Sequence, residues 1–382
     1  MGLEQLRQHL RLFLSAIHSA GASKMERLRG HFGSMRRRHV MIPIVAVGLV
    51  CGALFALISG WSNTGGSASA TAQLSVPEQV HRPEGPGRKP DGFTIPAYEP
   101  SSYAGIPVAP SGTPLVEAPV PLLTEFKNGL QLPRISPSGR PPWKVYGQPF
   151  DPSDVRPKIV IVVTEFGLSP VASQAMIDIL PSAVTFVSSP YADNSEYWVR
   201  EARADGHEVF VLLPVQSADP GFADPGPRAV RTSLPLEETT ARLEAALGTC
   251  LGCSGVMISA SDQLLRKDET ISYVLNTVQR RGLMLFVATP PKPGPMIRFA
   301  DDIQLTRAWA NTVLDEDLAA GQMDEQLVEL LEIARRQGVA IGLARPVPAT
   351  VRRLSIWWRS IESQNFVLAP LTAAANLQDP GL

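Results

Sequence analysis

The sequence predicts an α/β fold, an incomplete (β/α) barrel preceded by one transmembrane helix and a disordered linker. Three observations carry this. From Lys158 onward, apolar runs of strand length alternate with amphipathic helical stretches. The runs are continuously rich in Val and Ile, as in parallel strands covered by helices, rather than alternating apolar and polar. About seven such units in about 215 residues make a somewhat small or incomplete α/β barrel. A doubly wound open sheet is the alternative architecture.

The 382-residue chain opens with a basic segment, residues 1–40. Eight Lys/Arg against Glu4 and Glu26 give it a net charge of +6, so the remainder carries −7 of the overall −1. Leu3, Leu6, Leu10, Phe13, Leu14 and Ile17 recur at helical steps, as an amphipathic helix resting on a membrane surface or a loosely ordered tail would have them. Residues 41–60 follow as the transmembrane candidate. Met41 to Ser59 contains no charge, and at helical rise it spans roughly 28 Å, close to the hydrocarbon thickness of a bilayer. Arg36-Arg37-Arg38 abuts its start, so the positive-inside rule keeps residues 1–40 cytoplasmic and sends the rest outward. A cleaved signal peptide is the rival, but the apolar run and the basic segment before it are both longer than such a leader needs. The expected location is therefore a bacterial inner membrane, single-pass, with a periplasmic C-terminal domain.

Residues 61–155 read as a Pro-rich linker. Roughly half of the 35 prolines fall there, and the stretch has too little apolar surface to offset its ordering entropy. A short run, Leu122 to Leu132, is the exception and has the character to pack on the following domain. That domain occupies residues 156–375. Its strand candidates are 158–163, 183–188, 208–213, 255–258, 283–288, 302–305, 339–343 and 366–370. The helix candidates are 170–179, 194–205, 236–248, 267–281, 323–337 and 348–362. A net charge near zero excludes a long-range field for nucleic acid, and three cysteines exclude a disulfide scaffold.

Several stretches, in order, resemble the divergent branch of the polysaccharide deacetylases, which have the NodB-type (β/α) barrel. They are KIVIVVTEFGLS (158–169), LPSAVTFVSSPYA (180–192), ADGHEVFVLLPV (204–215), DPGP (224–227), GVMISASD (255–262), QRRGLMLFVAT (279–289) and AIGLARPVPATVRRL (340–354). The resemblance implies chemistry in which a divalent metal, held by an Asp and two His, polarises an N-acetyl carbonyl and activates water, with a second Asp as base. Zinc suits such a mixture of ligands. At the family's paired aspartates this chain has Thr164 and Glu165. Its next histidine position is Leu212, with Gln216 four residues on. The element after the fourth strand matches Met257, Ile258 and Ser259, the following aspartate matches Val287 or Ala288, and the late histidine loop reads Ala344-Arg345-Pro346.

The histidine count argues independently. Beyond His81 the chain contains one histidine, His207, so a two-histidine metal site cannot be assembled in one copy of the domain. Metal-dependent deacetylation of the usual kind is therefore not expected, and no cofactor or metal is assigned; zinc or another divalent ion enters only under the alternative of an active deacetylase with a non-standard site. Glu165 and Asp262 alone do not specify a cation site. The candidate pocket comprises Thr164, Glu165, Ser189, Gln216, Ser259, Asp262, Thr289 and Arg345. Several of these fall at C-terminal strand ends, the face on which barrels bind ligands. Glu165 and Arg345 there are expected to form an ion pair filling the vacated metal site, with contact to a sugar hydroxyl or carboxylate as the alternative. His207, at the opposite end of its strand, reads as a structural imidazole. The Trp357-Trp358 pair lies at helical spacing with Val351, Leu354 and Ile361 and reads as core.

Cys250 and Cys253 leave two states open, a local disulfide closing the turn or free thiols. A redox-active pair is not expected, because it follows a helix rather than opening one. The expected role is a periplasmic polysaccharide deacetylase-like protein acting by binding. Peptidoglycan, another envelope glycan or an envelope protein is the expected partner, and nucleic acid is not.

Overall fold

The computed structural model describes residues 102–216, 224–259, 268–288, 294–318 and 321–379. The chain divides into two units, Met1–Pro83 and Glu84–Leu382, and every described residue belongs to the second. The expected transmembrane segment 41–60 lies outside the described residues. Among the described residues no helix is long and apolar enough to cross a membrane.

Two short strands, β1 (Thr124–Lys127) and β2 (Leu130–Pro133), form an antiparallel hairpin, and a short helix α1 (Pro142–Tyr146) follows. The barrel begins with β3 (Lys158–Phe166), α2 (Pro170–Ile179), β4 (Thr185–Ser188), α3 (Ser195–Ala204) and β5 (Val209–Leu212). It continues through α4 (Leu236–Leu247), β6 (Gly255–Ile258), α5 (Asp268–Arg280), β7 (Met284–Val287), α6 (Pro295–Asp302) and β8 (Arg307–Trp309). The last elements are β9 (Thr312–Val313), α7 (Gln322–Gln337), β10 (Val339–Ala344), α8 (Pro348–Ile361) and β11 (Val367–Leu368). All pairings of the large sheet are parallel, in the order β8-β7-β6-β5-β4-β3-β10-β9, with β11 added beside β3. The α/β class and the parallel, helix-covered sheet are as the sequence predicts.

The two ends of that order, β8 and β9, are one stretch of chain interrupted only by Ala310 and Asn311. Ala310 N–H donates to the Val287 carbonyl of β7 at 2.9 Å, and Asn311 N–H donates to the Ile341 carbonyl of β10 at 2.8 Å. The Asn311 side-chain oxygen then accepts from Ile341 N–H at 2.8 Å, standing in for a backbone carbonyl. A single segment thus changes partners and draws both sheet edges together.

Side-chain alternation shows the consequence. Val160 and Val162 of β3, Val187 of β4, Phe210 of β5, Met257 of β6, Phe286 of β7, Ala308 of β8 and Ile341 of β10 share one buried apolar cluster inside the curl. Their neighbours Ile159, Ile161, Val163, Phe186, Val211, Val256 and Leu285 belong to a second cluster with the helices. Both faces of each strand are buried, which is why the runs read as continuous apolar stretches.

Two expectations are corrected. Residues 102–155, assigned to the disordered linker, are packed on the barrel as far as they are described, with Ile106, Leu123, Leu132 and Tyr146 buried. The segment is held by long-range hydrogen bonds as well as by these few buried side chains. Ala109 N–H donates to Asp178 O, Gly112 N–H to Asp205 O and Leu115 N–H to Arg203 O. The buried Arg203 guanidinium donates to the carbonyls of Val116, Tyr146 and Gly252, fastening strap, helix and turn together. The packing expected of Leu122–Leu132 is observed in Leu123 and Leu132. The second correction concerns residues 302–305, expected as a strand. Asp302 ends α6, Gln304 turns the chain with φ 57°, and the strand is Arg307–Trp309. Buried Arg307, answered by Asp301 and the Gln378 carbonyl, masks the apolar pattern there.

Cys250 and Cys253 are disulfide-bonded, with Cα atoms 5.4 Å apart. The bond closes the turn between α4 and β6, the outcome the spacing had left open.

Candidate functional site

The strands of the barrel end on a cavity of about 330 Å³. Its floor is made by inward side chains one layer below the rim: Val187, Leu212, Met257, Ala288 and Leu343. Its rim is polar. Thr164 and Glu165 come from the end of β3, Ser189 from the residue after β4, Ser259 from the residue after β6, and Arg345 from the residue after β10. Five of the eight residues picked from the sequence therefore meet at one mouth, because each follows a parallel strand and parallel strands end on one face.

Gln216 does not join them. The Gln216 side-chain oxygen accepts from the amide and hydroxyl of Thr232 at 3.2 and 3.3 Å, so it braces the loop after β5 away from this lining. Asp262 and Thr289 lie outside the described residues.

Glu165 has an unusual backbone. The ladder between β3 and β4 shifts register between Val163 and Phe166, and Glu165 sits in the left-handed region at φ 62°. A bulge of this kind re-aims one side chain, and a non-glycine residue held there costs about 1 kcal/mol or more. The carboxylate is presented at the exposed rim, and among the described residues no hydrogen bond or ion pair engages it. Its charge is felt by Tyr103, whose phenol is held above its ordinary pKa first by burial and second by Glu165. Tyr103 donates its hydroxyl hydrogen to the Pro346 carbonyl, next to Arg345.

Arg345 does not pair with Glu165, as the sequence had suggested. It is held by Asp315, a residue that sequence reading missed. The Arg345 amide donates to Asp315 Oδ2 at 2.9 Å and its Nη2 donates to the Asp315 carbonyl at 2.5 Å. Thr350 also donates to Oδ2, at 2.9 Å. The Asp315 side chain is wholly buried whereas that of Arg345 is 44% exposed, so the carboxylate anchors a cation that faces the mouth. Asp315 Oδ1 lies 3.7 Å from Arg345 Nε and receives no hydrogen bond. No local signal marks Asp315 in TVLDEDL (312–318). Only its place two residues beyond β9, beside the end of β10, makes it a site residue.

The donor set does not fit a histidine-bound divalent ion. The one described histidine, His207, is at the other end of the barrel, fully buried, stacked on Phe186 and bonded to the Val184 carbonyl at 2.9 Å. Apolar Leu212, Met257 and Ala288 occupy the cavity floor. Among the described residues no three His, Cys, Asp or Glu side chains converge as metal ligands.

A smaller cavity of about 150 Å³, lined in part by α3, adjoins the Cys250–Cys253 turn. Trp357 is buried and Trp358 packs on the same core, as their helical spacing predicts.

A model of the family described as divergent polysaccharide deacetylase matches residues 161–375. The curated relative "Uncharacterized protein YibQ" of Escherichia coli (strain K12) is 21% identical over 197 residues, 52% of this chain and 61% of that protein. The chain thus spans less than two thirds of that relative's length. The crystal structure of uncharacterized protein ATU2773 from Agrobacterium tumefaciens C58 is similar with a TM-score of 0.61 and 25% identity, over 64% of this chain and 99% of that one.

Proposed function

The chain belongs to the divergent polysaccharide deacetylase family, and from that premise we propose that its barrel is a glycan-binding module of the bacterial cell envelope rather than a metal-dependent hydrolase. The observation that carries the reading is the mouth cavity, whose apolar floor and hydroxyl- and charge-bearing rim match what a sugar ring offers: a C–H face and a girdle of hydroxyls. The hydrolase reading lacks its histidines, since the only one in the domain is buried at the far end of the barrel. Among the described residues Ser189 and Ser259 likewise have no imidazole near them to act as base, so a serine-nucleophile mechanism lacks its proton acceptor there.

The envelope placement rests on residues 41–60, whose uncharged run follows three arginines. In this reading residues 1–40 stay cytoplasmic, the helix holds the protein in the inner membrane, and the barrel works in the periplasm. An oxidising compartment agrees with the Cys250–Cys253 disulfide.

The test uses the purified full-length chain. Retention on insoluble peptidoglycan, unchanged by a chelator and without release of acetate from N-acetylglucosamine oligomers, is the expected result. Stoichiometric zinc, with turnover lost in Glu165→Gln, would instead establish the active deacetylase with a non-standard site. Failure to retain any glycan would leave an envelope protein as the partner and sink the glycan reading.

A further inference from the structure

The charges of the mouth are unevenly answered. Among the described residues three ionisable side chains line it, Glu165, Asp315 and Arg345, and two negatives against one positive give these three a net −1. Arg345 spends its amide and one guanidinium nitrogen on Asp315. Asp315 in turn keeps an oxygen, Oδ1, that is buried and receives no hydrogen bond. That buried oxygen adds negative potential to the wall, partly offset by Arg345 Nε at 3.7 Å. Among the described lining residues Glu165 is then the charge with no hydrogen-bond or ion-pair partner, and it is presented by a left-handed backbone that a glycine would adopt at lower cost. An acidic ligand entering here meets Glu165, and the Arg345 guanidinium, though exposed, already shares its charge with Asp315. A cation meets an open carboxylate backed by a second one.

From this we propose that the mouth of the barrel takes a saccharide bearing a free ammonium group, with the ammonium set against Glu165 and the sugar's C–H face on the floor formed by Leu212, Met257 and Leu343. The proposal rests on the glycan-binding reading above and names the class of glycan. Ser189 and Ser259 supply rim groups for ring hydroxyls. Acylation of the ligand amine removes its charge and adds bulk, so the site discriminates against the N-acetylated form of the same sugar.

Calorimetric titration of the full-length chain in detergent micelles decides it, with glucosamine tetramer, N-acetylglucosamine tetramer and an oligogalacturonate as probes at mildly acidic pH. The glucosamine oligomer is expected to bind at least about ten-fold tighter than the other two, and Glu165→Gln to weaken it about five- to ten-fold, as for loss of a partly exposed charge-assisted bond. Because Glu165 lies at the exposed rim, this variant keeps the fold, which circular dichroism checks. Equal or tighter binding of the N-acetylated oligomer, or a preference that survives Glu165→Gln, overturns the proposal while leaving glycan binding standing. Absence of binding by all three probes removes both.

Discussion

The buried His207 makes the stability of this barrel depend on pH in a calculable way. Burial holds its imidazole at a pKa of about 4, against an ordinary value of 6.5, with the Val184 carbonyl pulling weakly the other way. Asp205 is the acidic neighbour, 3.6 Å from Nε2 and itself partly buried. In the unfolded chain the same imidazole titrates normally. The folded pKa is depressed, so the neutral ring's contribution is fully present above about pH 6.5 and is lost as pH falls toward 4. At about 1.4 kcal/mol per pKa unit the whole window is worth ~3 kcal/mol, and by pH 5 about 2 kcal/mol of it is gone. Other carboxylates titrate in the same range. Glu208, pushed up by burial, acts in the opposite direction, and Glu244, held down by Lys127 and Arg281, acts in the same one. The assay therefore compares wild type with His207→Gln by urea unfolding, followed by tryptophan fluorescence, from pH 7.5 to 4.5. Both lose stability on acidification, but wild type is expected to lose about 2 to 3 kcal/mol more by pH 4.5. Parallel profiles would refute the claim that the imidazole is buried in its neutral form.

Three further outcomes follow from the geometry. At Gly255 a Cβ would lie 2.2 Å from the Phe210 ring and 2.3 Å from the Met284 carbonyl, so Gly255→Ala should destabilise by about 3 kcal/mol in the same unfolding assay; a loss under 1 kcal/mol would mean that β5, β6 and β7 yield more than their packing implies. Replacing Cys250 and Cys253 together by Ser opens a very short loop and should cost about 2 kcal/mol, with glycan retention unchanged because the turn is remote from the mouth residues. Glu165→Gly should raise stability by about 1 kcal/mol by relieving the left-handed backbone while abolishing amine preference in calorimetry; a destabilised variant would show that the conformation carries no strain.

Local pattern settled a large part of this molecule. Runs such as KIVIVV and LMLFVA fixed β3 and β7 because a strand buried on both faces must be apolar throughout, and the amphipathic stretches between them fixed six of the helices. Parallel order then placed Thr164, Glu165, Ser189, Ser259 and Arg345 at one mouth, since consecutive right-handed units end their strands on the same side. The single histidine of residues 156–375, placed before a strand, foretold its structural role. Other features lay beyond local pattern because their causes are distant in sequence. Residues 102–120 look unfoldable by composition, yet they are ordered by the chain ends of α2 and α3 and by Arg203, groups some 70 to 90 positions away. Joining of the sheet edges depends on Asn311 replacing a carbonyl for Ile341, a bond that exists only once β10 arrives. Asp315 belongs to the site for the same reason. Its carboxylate is indistinguishable in sequence from Asp317, and only the approach of Arg345 and Thr350 makes it the buried anchor of the mouth. Hydropathy and periodicity report what a segment must bury, whereas hydrogen-bond partners are decided by which segments meet.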